Sequence, residues 1–185
     1  LMEINYNGNS IQLIPHNKVW YGGENTLTTI IFDAIDNIDM KNKTVLDIGC
    51  GTGIMSIYAL KKGAKSVTCV DILPEAIECT KQNLAINSYD GNVFLNNLSE
   101  NITDKFDVII ANLPFAIQQE NLNTISKNMH KDSVIIISWE SVHYIYPRIE
   151  ELTKDFQMII LNVKEMKKVL EDLKFLESEN WKLPF

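Results

Sequence analysis

Cysteine and histidine are scarce in this sequence, three of each in 185 residues. Cys50, Cys69 and Cys79 are odd in number and match no metal-ligand spacing, which excludes a disulfide framework and suits reduced thiols. His16, His130 and His143 are too dispersed to mark a metal cluster, so no metal is expected. Basic charge is also short: 17 Lys and Arg stand against 24 Asp and Glu, a net charge of −7. Phosphate neutralisation supplies much of the affinity of nucleic-acid binders, so this balance makes a nucleic-acid partner less favoured. The small groups Lys61, Lys62, Lys65 and Lys164, Lys167, Lys168 read as solvated helix ends. No apolar run approaches the roughly 20 residues of a membrane-spanning helix. The first residues lack the basic, apolar and small-residue order of an export signal. A cytoplasmic protein without membrane association is expected.

What is present is a globular composition, 45% hydrophobic, without a repeat, a low-complexity tract or a Pro/Gly linker. A single domain over residues 1–185 is expected, with an N-terminal arm over about 1–24 and a C-terminal helical extension over about 164–185. Leu27, Ile30, Ile31, Ala34, Ile35 and Ile38 follow helical spacing, with Asn25 and Thr26 as candidate caps. After them, "TVLDIG", "SVTCVDI", "NVFLNN", "FDVIIAN", "SVIIISW" and "QMIILNV" read as six strands. Helices are expected between them at "IMSIYALKKG", after Pro74, near 116–129 and near 142–154. Met166, Val169, Leu170, Leu173 and Leu176 give the C-terminal extension an apolar helical face, and "NWKLPF" is the one candidate for a further strand. Strands apolar on both faces, alternating with helices, predict an α/β fold with a mostly parallel sheet covered on both sides. Ligands of such sheets bind beyond the carboxyl ends of the strands.

The unusual residues fall at those ends. "VLDIGCGTG" places Asp47, Gly49, Cys50, Gly51 and Gly53 between the first of these strands and a helix. Glycines there permit a tight turn and a close backbone approach. The spacing is G-x-G-x-G preceded by a carboxylate, not the G-x-G-x-x-G of dinucleotide binders. A carboxylate at that place suits a cationic amino-acid group better than a pyrophosphate. Asp71 closes the second strand, where a carboxylate can bind ribose hydroxyls. A tight strand-to-helix turn and a cap on the following helix are the plainer roles for the same residues.

Taken in order, "VLDIGCGTG", "CVDILPEA" and "IIANLPF" resemble the class I S-adenosylmethionine-dependent methyltransferases, over roughly residues 20 to 163. The resemblance implies a Rossmann-like, seven-stranded sheet with a reversed final strand. It implies S-adenosylmethionine as cofactor, with the Asp47–Gly53 loop on its methionine part and Asp71 on the ribose. Ile72 would flank the adenine, and Asn97 and Leu98 would contact its edge.

Asn112-Leu113-Pro114-Phe115 matches the Asn/Asp-x-Pro-aromatic pattern of enzymes in that class that methylate nitrogen. An amide or exocyclic amine is a poor nucleophile because its lone pair is delocalised. If Asn112 Oδ1 and the Leu113 carbonyl accept its two N–H bonds, the lone pair is freed toward the methyl group. Pro114 would fix the turn, and Phe115 would stack on a planar acceptor. "YGGENTLTT" is similar to the segment before the glycine loop in ribosomal-protein methyltransferases, with Glu24 and Thr26 in place of that family's glycine and histidine. Tyr21 and Glu24 there, and Trp139 and Glu140 after the fifth strand, are candidate substrate contacts. The expected function is methyl transfer to a nitrogen of a protein, peptide or small molecule. An adenine methyltransferase of RNA or DNA is the alternative enzyme, and a non-catalytic methyltransferase-like subunit is the alternative outside catalysis. Nothing in the pattern specifies an oligomer.

Overall fold

The structure, a computed structural model, describes residues 1–20, 26–113, 119–138 and 158–162. Six strands form one sheet: β3 (Thr44–Ile48), β4 (Ser66–Asp71), β5 (Asn92–Leu95), β6 (Phe106–Asn112), β7 (Met129–Ser138) and β8 (Met158–Asn162). Their order is β5-β4-β3-β6-β7-β8. The first five are parallel and β8 runs antiparallel to β7. The reversed strand is thus the sixth of the sheet among the described residues, where the resemblance implied seven. The chain winds outward from β3 to β5, then crosses back to lay β6 on the other side of β3. Right-handed crossovers in opposite directions set α2 (Ile54–Lys61) and α3 (Pro74–Ile86) on one face and α4 (Gln119–Ser126) on the other. The switch of direction opens a crevice between the carboxyl ends of β3 and β6, where the glycine loop and Asn112 lie.

Strand alternation divides the core. Val45, Val67, Cys69, Val108, Ile110 and Ile136 pack in one cluster with α1 (Thr26–Asp36) and α2. Leu46, Ile48, Ile109 and Ile137, at the alternate positions, are equally buried on the opposite face. This is why the strands read as continuous apolar runs.

Three boundaries differ from the sequence reading. The expected N-terminal arm contains a hairpin, β1 (Met2–Tyr6) with β2 (Asn9–Leu13). Its turn places Asn7 and Gly8 at φ 45° and 78°, the pairing that Asn-Gly favours. Ile4, Ile11 and Leu13 bury its inner face. Tyr6 packs on Phe32, which stacks on Tyr58 with ring centres 4.0 Å apart. Thr26 lies inside α1 and not before it. The helix expected over 116–129 is α4, and Met129 already belongs to β7. The helix expected over 142–154, the C-terminal extension and "NWKLPF" lie outside the described residues. Among the described residues no helix is long and apolar enough to cross a membrane.

At the amino ends of the strands, Asp107 ties three elements. Its Oδ2 accepts the Thr44 N–H at 2.8 Å, and its Oδ1 lies 2.7 Å from His130 Nε2. The Thr44 N–H, foremost, and His130 hold the Asp107 carboxyl below its usual 3.8 against the opposing effect of partial burial. A depressed folded pKa contributes stability above the unfolded value that is lost as pH falls through the folded one. Asp107→Ala is therefore expected to lower the urea midpoint at pH 7 and flatten its decline below pH 4. An unchanged acid limb in the variant would contradict this.

Candidate functional site

The loop after β3 needs backbone that side chains resist. Gly49, Gly51 and Gly53 stand at φ 72°, 56° and 80°. The loop is tied to its neighbours: Gly49 and Cys50 donate to the Val70 carbonyl at 2.8 and 3.0 Å, and Gly53 donates to Cys50 O at 2.7 Å. Asp71, at the end of β4, accepts the Gly51 N–H on Oδ2 and the Leu73 N–H on Oδ1, both at 3.0 Å. Each carboxylate oxygen has two lone pairs, so both keep capacity for a further hydroxyl donor.

Beyond these strand ends lies a cavity of about 360 Å³ lined by Ile48, Gly49, Asp71, Ile72, Asn96, Asn97, Leu98, Leu113 and Asn121. Its size falls in the range of about 300–1,000 Å³ typical of small-molecule sites. Six of the residues singled out in the sequence therefore share one wall: Gly49, Asp71, Ile72, Asn97, Leu98 and Leu113. Ile72 is 65% exposed, an apolar side chain held at the mouth without a covering partner among the described residues. Leu113 leans on Gly49, so a Cβ at Gly49 would collide with its Cδ2. Gly49→Ala is expected to cost about 1–2 kcal/mol for the left-handed backbone alone. Displacement of Leu113 adds to that. Urea unfolding of Gly49→Ala with and without Leu113→Ala separates the two, because only the collision is relieved in the double variant.

Asp47 goes elsewhere. It shares the strand face of Val45, and its carboxylate lies 1% exposed under α2, accepting the Ser56 hydroxyl at 2.7 Å. Burial, foremost, pushes it from 3.8 up to about 6; the Asp71 charge adds to this and Ser56 opposes it. Ile48, the next residue, faces the cavity. Cys50, Gly51, Gly53 and Asn112 adjoin the cavity without lining it: Asn112 ends β6 half-buried, with its carbonyl beside Gly49. Burial pushes the Cys50 and Cys69 thiols well up, so neither supplies a thiolate near neutrality. Tyr21, Glu24, Pro114, Phe115, Trp139 and Glu140 lie outside the described residues.

The sequence reading missed Ile48, Asn96 and Asn121. Asn96 locks the turn that presents the next two residues, its Nδ2 donating to Leu98 O at 3.2 Å and Glu100 O at 2.6 Å. The turn holds Leu98 at φ 49°, a conformation that needs such support. Two adjacent asparagines after a strand were the only signal, and Asn121 carries none.

The fit to a nucleoside bearing an amino-acid group rests on these features. The wall offers an acidic acceptor, apolar surface in Ile72 and Leu98, amides in Asn96 and Asn97, and the half-buried backbone of Gly49. Comparison with known proteins agrees in kind. The profile of one family, ribosomal protein L11 methyltransferase (PrmA), matches residues 21–169. A Methanocaldococcus jannaschii protein provisionally named a protein N5-glutamine methyltransferase is 40% identical over 111 residues, 60% of this chain and 54% of that protein. A ribosomal protein L11 methyltransferase of Lactobacillus gasseri is 35% identical over 131 residues, 70% of this chain and 41% of that protein. The chain thus spans about half the length of the curated relatives it matches. Among solved structures, a ribosomal protein L11 methylase from Lactobacillus delbrueckii subsp. bulgaricus superposes with a TM-score of 0.63 at 28% identity, covering 76% of this chain and 80% of that one.

Proposed function

Because the chain belongs to the ribosomal protein L11 methyltransferase (PrmA) family, we propose that it is an S-adenosylmethionine-dependent methyltransferase whose acceptor is a nitrogen of a protein. The observation that carries this reading is the cavity at the switch point, whose wall holds Gly49, Asp71, Ile72, Asn97 and Leu98 together with Leu113 of the Asn-Leu-Pro-Phe tetrapeptide. The backbone of the Gly49–Gly53 loop would hold the methionine part, Asp71 the ribose hydroxyls, and Ile72, Asn97 and Leu98 the adenine. When bound, the cofactor supplies a methyl group on a sulfonium, ready for in-line displacement. What the chain must then do is exclude water, align the acceptor and leave its lone pair free; such positioning contributes up to roughly 7–11 kcal/mol in favourable systems. Asn112 Oδ1 and the Leu113 carbonyl accept the two N–H bonds of the acceptor, so the nitrogen presents its lone pair and not a proton. Buried Asp47 contributes negative charge beneath the loop without touching the cavity, placing it under the cationic end of the ligand.

A protein acceptor is favoured by the names of two relatives, one for a glutamine side chain and one for ribosomal protein L11, and by the net charge of −7. Calorimetric titration of the folded chain with S-adenosylmethionine is expected to show one saturable site; no heat under those conditions would remove the cofactor. Transfer of a labelled methyl group to a glutamine-bearing peptide or to ribosomal protein L11 is expected. Label entering RNA alone would overturn the acceptor class.

A further inference from the structure

Asn83 carries no motif, yet it sits wholly buried on α3 with its amide spent on two distant segments. Nδ2 donates to Thr52 O of the glycine loop at 2.9 Å and to Ile14 O at 3.2 Å. Oδ1 accepts the Ile14 N–H at 2.7 Å. One side chain thus pairs with Ile14 as a neighbouring strand would, and with the same nitrogen holds the loop. Thr80, one turn earlier on α3, donates Oγ1 to Gly51 O at 2.9 Å. Two successive loop carbonyls are therefore pinned to α3, which sets the planes of the peptides between Gly51 and Gly53.

The segment that Asn83 holds leads directly over the same loop. After Ile14 the chain turns, with Val19 N–H donating to His16 O at 3.1 Å. Val19 is buried with Ala76 and Cys79. Its Cγ1 and the Trp20 carbonyl lie 3.7 and 3.6 Å from where a Cβ on Gly51 would stand. Residues 14–20 form a strap across the glycine loop. Asn87, which caps the end of α3 one turn further on, repeats the pairing with Gln12, at 2.9 and 2.7 Å, and makes no bond to the loop. The helix carries its own control.

We infer that Asn83 is a positioning residue whose amide couples the strap over residues 14–20 to the glycine loop, so that cofactor affinity and the order of the strap change together. The inference rests on the cofactor reading above. Removing the amide leaves Thr52 O without this partner in a buried place and the Ile14 N–H without its partner in a part-buried one, and the loop and strap relax as one.

The test is hydrogen exchange of the ligand-free protein combined with S-adenosylmethionine binding. In Asn83→Ala, exchange should quicken over both 13–20 and 48–54. Cofactor binding should weaken about tenfold, the worth of one buried bond left unpaired. Turnover at saturating cofactor should stay within about twofold, because no group that meets the acceptor is touched. Asn87→Ala should quicken exchange over 9–14 only and leave cofactor affinity unchanged. If Asn83→Ala does not fold, Ile14→Pro, which deletes the N–H that Oδ1 accepts, should give the same paired change in smaller degree. Exchange that quickens in the strap while the glycine loop stays protected, or cofactor affinity unchanged in the folded variant, overturns the coupling. A wild type that binds no S-adenosylmethionine overturns the cofactor reading instead, and the paired exchange still decides the coupling.

Discussion

Asn112→Ala is expected to lower kcat about a hundredfold while leaving the dissociation constant for S-adenosylmethionine within about twofold, the range seen when one preorganised hydrogen bond to the reacting group is removed. The reason is positional. Asn112 is the last residue of β6, follows Ala111, which pairs with Ile48 of β3, and itself pairs with Ser138 of β7, and its carbonyl lies beside Gly49. The sheet therefore fixes its backbone at the crevice, whereas the surface proposed to hold adenosine comes from Asp71 and Ile72 at the end of β4 and from Asn97 and Leu98 after β5. In the proposed arrangement, losing the amide removes an acceptor for the substrate N–H and leaves that surface intact. Asn112→Asp should retain more activity than Asn112→Ala, because a carboxylate still accepts the bond. Equal rates for wild type and Asn112→Ala, measured with saturating cofactor and acceptor, would remove Asn112 from the chemistry.

A second large effect concerns Asp47. Its carboxyl stands at about 6 in the folded chain against 3.8 when unfolded. The folded state thus binds the proton more tightly, and the associated stability is complete below about pH 4 and lost as pH rises through about 6. A difference of about two units corresponds to roughly 3 kcal/mol. The ligand-free protein should therefore gain stability toward acid over that window, against the decline that Asp107 imposes further down. Asp47→Asn should flatten the urea midpoint between pH 4 and 6. The fold keeps this carboxylate charged at neutral pH because the Ser56 hydroxyl and backbone N–H and the N-terminus of α2 partly compensate it. A cationic ligand group above the loop would add to that compensation, so S-adenosylmethionine should bind less tightly to Asp47→Asn than to the wild type at pH 7. A midpoint as steep in the variant as in the wild type would assign the pH dependence to another group.

Much of the fold was legible because its signals are local. The five parallel strands and β8 follow from apolar runs of strand length, and the helix after Pro74 from a proline that suits a first turn. The glycine loop was legible because left-handed backbone selects glycine. The hairpin β1–β2 had its own signal in Asn7-Gly8, but short strands buried on one face only, at Ile4, Ile11 and Leu13, offer little periodicity. Met129 was assigned to a helix because "MHKDS" is too polar to read as the start of a buried strand.

The sequence alone therefore determined which residues stand at strand ends: Gly49, Asp71, Asn97, Leu98 and Leu113 are all recognisable from the run that precedes them. Only the tertiary structure decided which way each one faces and what supports it. Asp47 turns away from the cavity and Ile48 into it because α2 covers one face of the sheet and α4 the other. Asn83 and Asn121 gain their places from segments far along the chain. Strand ends are set by neighbours in sequence, whereas the direction of a side chain and the partner of a buried amide are set by packing, which no local pattern encodes.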